Sequence, residues 1–198
     1  MTLADSYIVR PLLAADVPRV FKDWLMSYRQ EKALRTVSNP VFFHWHHTVI
    51  ESLMLDPTVV WWVAVDQARP NLIAGFICAQ EFAGNKQFLV HYVYVGRSFR
   101  RLGLASRLLA TLGVPRDQGV MCTHESFAGH ALLLSRGNVG VYNPYLFMGR
   151  AAAVDLLPVS TEPGRADIVK AIGKSSKELR KGFNINEEAV DRTGKKEE

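Results

Sequence analysis

Residues 91–105 read His-Tyr-Val-Tyr-Val-Gly-Arg-Ser-Phe-Arg-Arg-Leu-Gly-Leu-Ala. A run of β-branched and aromatic residues ends in an arginine-rich turn and restarts with helical spacing. The first backbone N–H groups of such a helix have no intrahelical acceptor and lie at the positive end of its dipole. A pyrophosphate placed there satisfies both deficits. Gly103, with no Cβ, lets the chain turn tightly or approach a ligand closely, and Ala105 keeps a nearby position small. Arg97, Arg100 and Arg101 add charge, and a guanidinium can grip a phosphate through two parallel hydrogen bonds. The junction is built for an anion.

Proton transfer is the second chemistry within reach. His91 lies on the strand that feeds the junction, and an imidazole with an unperturbed pKa of about 6.5 is mostly neutral at pH 7, with a lone pair to offer. A strand histidine bonded to a neighbouring carbonyl is the plainer alternative. Farther upstream, His44, His47 and Glu51 fall on one helical stripe. They do not form His-Glu-x-x-His and no second cluster completes them, so no metal site is expected. Tyr28, Phe42, Trp45 and His46 are candidates for an acceptor-pocket wall, although aromatic residues at helical spacing also build cores. Trp61 and Trp62 adjoin on a strand and must face opposite sides, so at most one lines a cleft.

These residues need a strand, a turn and a helix to hold them, and the chain supplies the pattern. Tyr7–Arg10 reads as a strand. Asp16 caps a helix with Val20, Trp24 and Leu25 on one face, and Asn39-Pro40 starts a second helix that runs to Leu55. Thr58–Val65 and Leu72–Gln80 read as a hairpin around a turn with Pro70 and Asn71, and Gly84-Asn85 as the next turn. Gln87–Val95 is the strand entering the junction, with a helix over about Leu102–Leu112 beyond it. Val120–Thr123 is a short strand and Ser126–Ser135 a helix. Val139–Met148 is a strand pair, or one strand bent at Asn143-Pro144. The order is β-α-α-β-β-β-α-β-α-β(β), an α/β arrangement.

The 198 residues are 48% hydrophobic, enough for one well-buried domain and too few for a second full one. No apolar run reaches the roughly 20 residues that span a bilayer, and Met1–Ser6 lacks a basic start and an apolar secretory core, so a cytoplasmic protein with no membrane partner is expected. Cys78 and Cys122 sit in strand-like stretches without Cys-x-x-Cys spacing and read as buried thiols. The net charge is +5, and it is uneven: residues 1–150 carry 15 Lys and Arg against 10 Asp and Glu, and residues 151–198 carry 9 against 9. Four arginines near the junction account for much of the excess, so a polyanionic small ligand is favoured over nucleic acid. Ile168, Ile172 and Leu179 line one face of a helix over about Asp167–Lys181, in a mobile tail whose last ten or so residues read as disordered.

Arg100-Arg101-Leu102-Gly103-Leu104-Ala105 resembles the cofactor motif of the GNAT acetyltransferase superfamily, Arg/Gln-x-x-Gly-x-Gly/Ala, and the element order resembles its fold over about residues 7–149. The string His91-x-x-x-Val95-x-Arg97-Ser98-Phe99-Arg100-x-x-Gly103 is similar to that of the arylalkylamine N-acetyltransferase branch. The resemblance implies a central mixed, mostly antiparallel sheet flanked by helices, with a splayed parallel strand pair. It implies an acyl-CoA-binding domain over residues 1–150 and an extension over 151–198. It also implies acetyl-CoA as acyl donor, its pyrophosphate on Arg100, Arg101, Leu102, Gly103, Leu104, Ala105 and Ser106, and its pantetheine paired with Val93, Tyr94 and Val95.

By the same resemblance His91 is the base for direct attack by a primary amine of a small molecule or peptide. Two departures stand against it. Where many members carry a strand glutamate this chain has Gln87, with Glu81 the fallback; where a tyrosine protonates the leaving thiolate it has Leu133. Tyr142 takes the place of that acid, with Tyr145 or Ser126 as alternatives. A GNAT fold that has become a silent binding module, and a transferase acting on nucleic acid, are the competing readings. Oligomeric state is left open, with a dimer allowed.

Overall fold

The computed structural model describes residues 6–82, 87–115, 118–124, 127–138, 140–142 and 165–182. Strand β1 (Tyr7–Pro11) leads through a short 3-10 turn into helix α1 (Val17–Tyr28), followed by α2 (Asn39–Leu55). The meander β2 (Val59–Asp66), β3 (Arg69–Phe82) and β4 (Gln87–Val95) comes next. Then follow α3 (Leu104–Thr111), β5 (Val120–Cys122), α4 (Phe127–Ser135), β6 (Gly140–Tyr142) and α5 (Arg165–Gly182).

One six-stranded sheet holds the strands in sequence order. Strands β1 to β4 are antiparallel, whereas β4–β5 and β5–β6 are parallel. The sheet is therefore mixed and flanked by helices, as the sequence pattern implies. Its two faces carry separate cores, because successive strand residues point to opposite sides. Beneath α1, α2 and α5 lie Phe21, Trp24, Phe42, Ile50, Phe76 and Ile172; on the face of α3 and α4 lie Ile77, Leu108, Leu109, Val120 and Leu133. Trp61 belongs to the first core and Trp62 packs against the second, which is the alternation their adjacency demands.

Local chemistry explains the helices and corrects three details of the sequence reading. Val17, Val20, Phe21, Trp24 and Leu25 are the buried apolar positions of α1, spaced for one helical face. Asp16 stands at its N-cap, yet its carboxylate takes two bonds from Arg10, at 2.6 and 3.1 Å, and one from the Leu13 amide at 2.8 Å. The cap of α2 is Ser38, with Asn39 already helical and accepting a bond from Arg29 Nε at 3.1 Å. In the β2–β3 hairpin Asp66 pairs with Arg69, so Gln67 and Ala68 make the turn. Pro70 and Asn71 fall inside β3, where the register jumps from Arg69 to Ile73; in that bulge the missing proline N–H costs no ladder bond.

Helix α5 packs on α1 and α2, with Ile172 buried and Ile168 half-buried. The Gly84-Asn85 turn, the Asn143-Pro144 bend and the end of the tail lie outside the described residues.

Gly75 pairs with Val95, the last residue of β4. A Cβ at Gly75 would stand 2.5 Å from the Tyr94 carbonyl oxygen, so a side chain there must push the two strands apart. Gly75→Ala is expected to destabilise the fold by about 1–3 kcal/mol, the usual cost of overpacking, as read from urea denaturation.

Candidate functional site

Strand β4 contains an irregularity where it matters. Cys78 faces Tyr92 and Ala79 faces Val90, so His91 is the inserted residue of a β-bulge. The parallel ladder from β4 to β5 holds two register pairs, Leu89↔Met121 and Val90↔Cys122, and the Thr123 amide adds a bond to the Val90 carbonyl at 3.3 Å. Beyond that point the strands part. A bulge bends its strand and sharpens the twist, which is how it redirects a side chain or ends a pairing.

At the end of β4 the chain makes a 3-10 turn, Arg97–Phe99, and then passes through two left-handed residues, Arg101 (φ 68°) and Gly103 (φ 73°). Leu102 and Leu104, on either side of Gly103, pack into a small core with Tyr7, Ala74 and Phe99. Their side chains fix the loop, so any ligand contact from them is through the backbone. Gly103 is the N-cap of α3, and the Arg107 amide makes the first helical bond to its carbonyl at 3.0 Å. The N–H groups of Leu104, Ala105 and Ser106 precede that bond and are the helix's orphan donors. A Cβ on Gly103 would meet nothing within 4 Å, so the space above this turn is open. An open turn, orphan donors and arginines together fit a pyrophosphate.

A cavity of about 360 Å³ runs along this surface. Val93, Tyr94 and Val95 of β4 form its floor, Arg97, Arg100 and Ala105 its basic end, and Ser27 of α1 with Gln30 and Glu31 just beyond that helix the opposite wall. Arg100 is steadied by a bond from its Nε to the Val95 carbonyl at 3.2 Å. Arg101 is exposed and lines neither this cavity nor the next, so its part is its backbone conformation. Ser106 is half-buried in the first turn of α3.

A second cavity opens on the other side of the parting strands, lined by His91, Cys122, His124, Leu133 and Tyr142. Tyr92, Val93, Gly129 and Leu132 line both cavities, so the two adjoin at the split. His91 is only 1% exposed, and its Nδ1 lies 3.0 Å from Thr123 Oγ1. Tyr142 is half exposed. Leu133 stands in the same wall as Tyr142, so a phenol is present in the cavity although residue 133 carries none.

The acceptor wall read from the sequence is not assembled by these cavities. Phe42 is core, Trp45 is 66% exposed, and His46 stacks on Phe42 at 4.1 Å. Tyr28 touches His46 and Tyr92 at ring distances of 5.1 and 5.7 Å, behind the cavity surface. Glu81 is exposed on β3 and lines neither cavity. His47 is buried against Phe21, with Nδ1 3.7 Å from Glu51 Oε2, while His44 is exposed. Among the described residues no three such ligands converge. Ser126 and Tyr145 lie outside the described residues.

Two residues at the site were not singled out in the sequence, Thr123 and His124. Their signal was position: a polar pair at the carboxyl end of a parallel strand, where ligand sites of open α/β sheets gather. Thr123 Oγ1 is 3.0 Å from His124 Nδ1 as well as from His91. Burial, and then the nearby His46, push His124 down to about 4, with the His91 backbone carbonyl opposing them. Burial also lowers His46, partly offset by the Phe42 carbonyl. It raises the Tyr94 phenol and, more strongly, that of Tyr92, whose Oη meets Ser27 Oγ at 3.0 Å.

An unfolded chain takes up a proton at His124 near pH 6.5, whereas the folded chain resists until about 4. Stability contributed by the neutral ring is therefore complete above about pH 6.5 and lost as pH falls toward 4. In urea titrations across that window, His124→Phe is expected to flatten the decline relative to the wild type.

The model of the acetyltransferase (GNAT) family matches residues 18–112. No curated protein matches the chain. Among solved structures it is similar to a GNAT-family acetyltransferase of Staphylococcus aureus Mu50, with 14% identity and a TM-score of 0.39 over 54% of this chain and 62% of that one. It is also similar to the PaiA N-acetyltransferase of Thermoplasma acidophilum in complex with coenzyme A, with 16% identity and a TM-score of 0.40 over 55% and 70% of the two chains. A ribosomal-protein-alanine N-acetyltransferase of Brucella melitensis biovar Abortus 2308 gives 17% identity and a TM-score of 0.40 over 79% and 94%. The chain thus spans less than two thirds of the first of these three. The matched segment, just under half of the chain, runs from α1 through the bulged strand and the arginine turn to the end of α3, and over it the chain is similar to the GNAT acetyltransferase family, enzymes that take their acyl group from acetyl-CoA.

Proposed function

We propose that this chain is an N-acyltransferase that moves the acetyl group of acetyl-CoA onto a primary amine by direct attack. The observation that carries the reading is that two cavities adjoin where β4 and β5 part, sharing Tyr92, Val93, Gly129 and Leu132, one leading to the arginine turn and the other to His91 and Tyr142. A donor and an acceptor can meet there without crossing the sheet elsewhere.

Each residue has a task that follows from its place. The amides of Leu104, Ala105 and Ser106, with Arg97 and Arg100, hold phosphate oxygens, and Arg101 and Gly103 keep the loop in the shape that aims those amides. Strand β4 from Val93 to Val95 lies past its last pairing with β5, so backbone groups on that edge are available to an extended amide-bearing arm. Bound acetyl-CoA supplies an acyl group activated as a thioester. His91 takes a proton from the acceptor nitrogen, directly or through a water, and Tyr142 is placed to give one to the departing sulfur. The opposite wall suits an ammonium: Glu31 carries negative charge, and the C-terminal end of α1 contributes the negative end of its dipole. A small-molecule amine and a peptide amine both satisfy this chemistry. The extension after residue 150 contributes α5, which braces α1 from behind.

The test is acetyl-CoA-dependent thiol release across a panel of amines, beside calorimetry with acetyl-CoA alone. Binding with thiol release is expected. Binding without release from any amine would leave a silent module, and no binding at high micromolar donor would end the reading. Gly103→Val, which forces a β-branched residue into a left-handed conformation, is expected to abolish measurable acetyl-CoA binding in the same calorimetry. His91→Gln is expected to keep acetyl-CoA affinity and lower kcat by about a hundredfold, with the deficit largest at low pH. Equal activity of His91→Gln and the wild type at every pH would remove its role as base.

A further inference from the structure

His91 on β4 and His124, two residues past the end of β5, stand on either side of the split between the two strands, and a single oxygen joins them. Thr123 Oγ1 lies 3.0 Å from His91 Nδ1 and 3.0 Å from His124 Nδ1. A threonine hydroxyl has one hydrogen and two lone pairs. When that hydrogen lies on one of the two lines, the rings become complementary. One Nδ1 is bare and accepts from the hydroxyl, while the other carries a proton and donates to it. A proton added to the far nitrogen of the donating ring can then leave through its Nδ1 to the oxygen as the hydroxyl hydrogen crosses to the other ring. No heavy atom has to move.

The far end of this chain is half-buried among aromatic rings and faces a cavity. His124 meets Trp24 edge to face at 5.6 Å and 83°, Tyr28 at 5.1 Å and 72°, and Tyr92 at 6.3 Å and 84°. The titratable groups that bear on it are Tyr28 from α1, His46 from α2, and Tyr92 and His91 from β4. All are neutral or cationic near pH 7, so nothing in that set stabilises a lasting imidazolium. A ring in such a place accepts a proton briefly and passes it on. It also lines the same cavity as His91 and Tyr142.

We propose that His91, Thr123 and His124 form one proton relay, in which His91 receives the acceptor amine's proton and His124, acting through Thr123, carries it onward. The relay rests on the acyl-transfer reading above. In that reaction the nitrogen lone pair forms the C–N bond and the C–S bond breaks with its electron pair on sulfur. The ammonium loses two protons overall: one ends on sulfur and the other in solvent. The relay moves the first of them away from nitrogen so that attack can begin; release of a proton from His124 leaves both rings neutral in exchanged tautomers, and the reverse hop, with a solvent proton entering at His124 as His91 gives its Nε2 proton toward the departing sulfur, restores the starting state. Thr123 and His124 are thus positioning residues, with His91 the group that meets the substrate.

The first measurement needs no substrate. In the full-length ligand-free protein with ring-15N histidine at neutral pH, His91 is expected as the Nδ1–H tautomer and His124 as Nε2–H. Thr123→Val, close in shape but without the hydroxyl, is expected to shift the ring nitrogens of both. The same tautomer in both wild-type rings would overturn the relay.

The second measurement is kinetic. Thr123→Val is expected to lower kcat near pH 7 by about tenfold while the KM for acetyl-CoA stays within about twofold. The deficit should narrow near pH 9.5, where more of the amine is already deprotonated, and Thr123→Ser should recover most of the loss. His124→Phe should lose about as much as Thr123→Val, and the double variant no more than either, as residues acting as a unit do. A Thr123→Val kcat equal to the wild type across this pH range, or losses that multiply in the double variant, would overturn the relay while leaving acyl transfer intact. A wild type that releases no thiol from any amine removes acyl transfer instead, and the tautomers still decide whether the two rings are linked.

Discussion

A parallel strand pair that loses its ladder after two register positions is the constraint on which the rest of this structure depends. Backbone N–H and C=O groups inside a sheet need partners, and a pair that separates leaves them to find others. Here the separation begins at one inserted residue, His91, and ends at the arginine turn. Both cavities, the open edge of β4 and the meeting of His91 with Thr123 follow from that single slip of register. A regular β4 would close the cleft with ordinary sheet bonds.

The anion turn solves a related problem by opposite means. A loop that offers its amides to a ligand must be held firmly, or the ligand has to supply the ordering entropy itself. Leu102 and Leu104 provide the hold by burying their side chains against Tyr7, Ala74 and Phe99. Arg101 accepts an unfavourable left-handed backbone so that the amides which follow are correctly presented. Gly103 takes the same conformation at little cost. Apolar anchors and backbone shape therefore do the positioning, and the exposed arginines add charge.

Much of this was legible in the sequence because it was local. The strand, turn and helix around Gly103 are written in consecutive residues, and the alternation of Trp61 and Trp62 between faces follows from strand geometry alone. The start of α3 was misjudged by two residues because Leu102 fits the apolar spacing but sits in the turn. The hairpin turn was misplaced because Pro70 and Asn71 look like turn residues, whereas the bulge that accommodates them is a property of the pairing. The bulge at His91 was invisible for the same reason, since an inserted residue exists only relative to its partner strand. Thr123 and His124 escaped notice because their importance lies in distance to His91, 32 positions away for Thr123. The aromatic residues of α2 showed the converse: Phe42 and His46 have the composition of a pocket wall but spend their surfaces on each other.

The cleft has two cores behind it. Tyr92 and Tyr94 pack with the residues beneath α1 and α2, while Val93 and Val95 pack with those beneath α3 and α4. Alternate residues of one strand thus report to different halves of the molecule. Loosening the first core would disturb the wall made by α1, whereas the arginine turn rests on the small core of Leu102 and Leu104. The surface made by α1 can thus change in the course of evolution while the arginine turn keeps its shape.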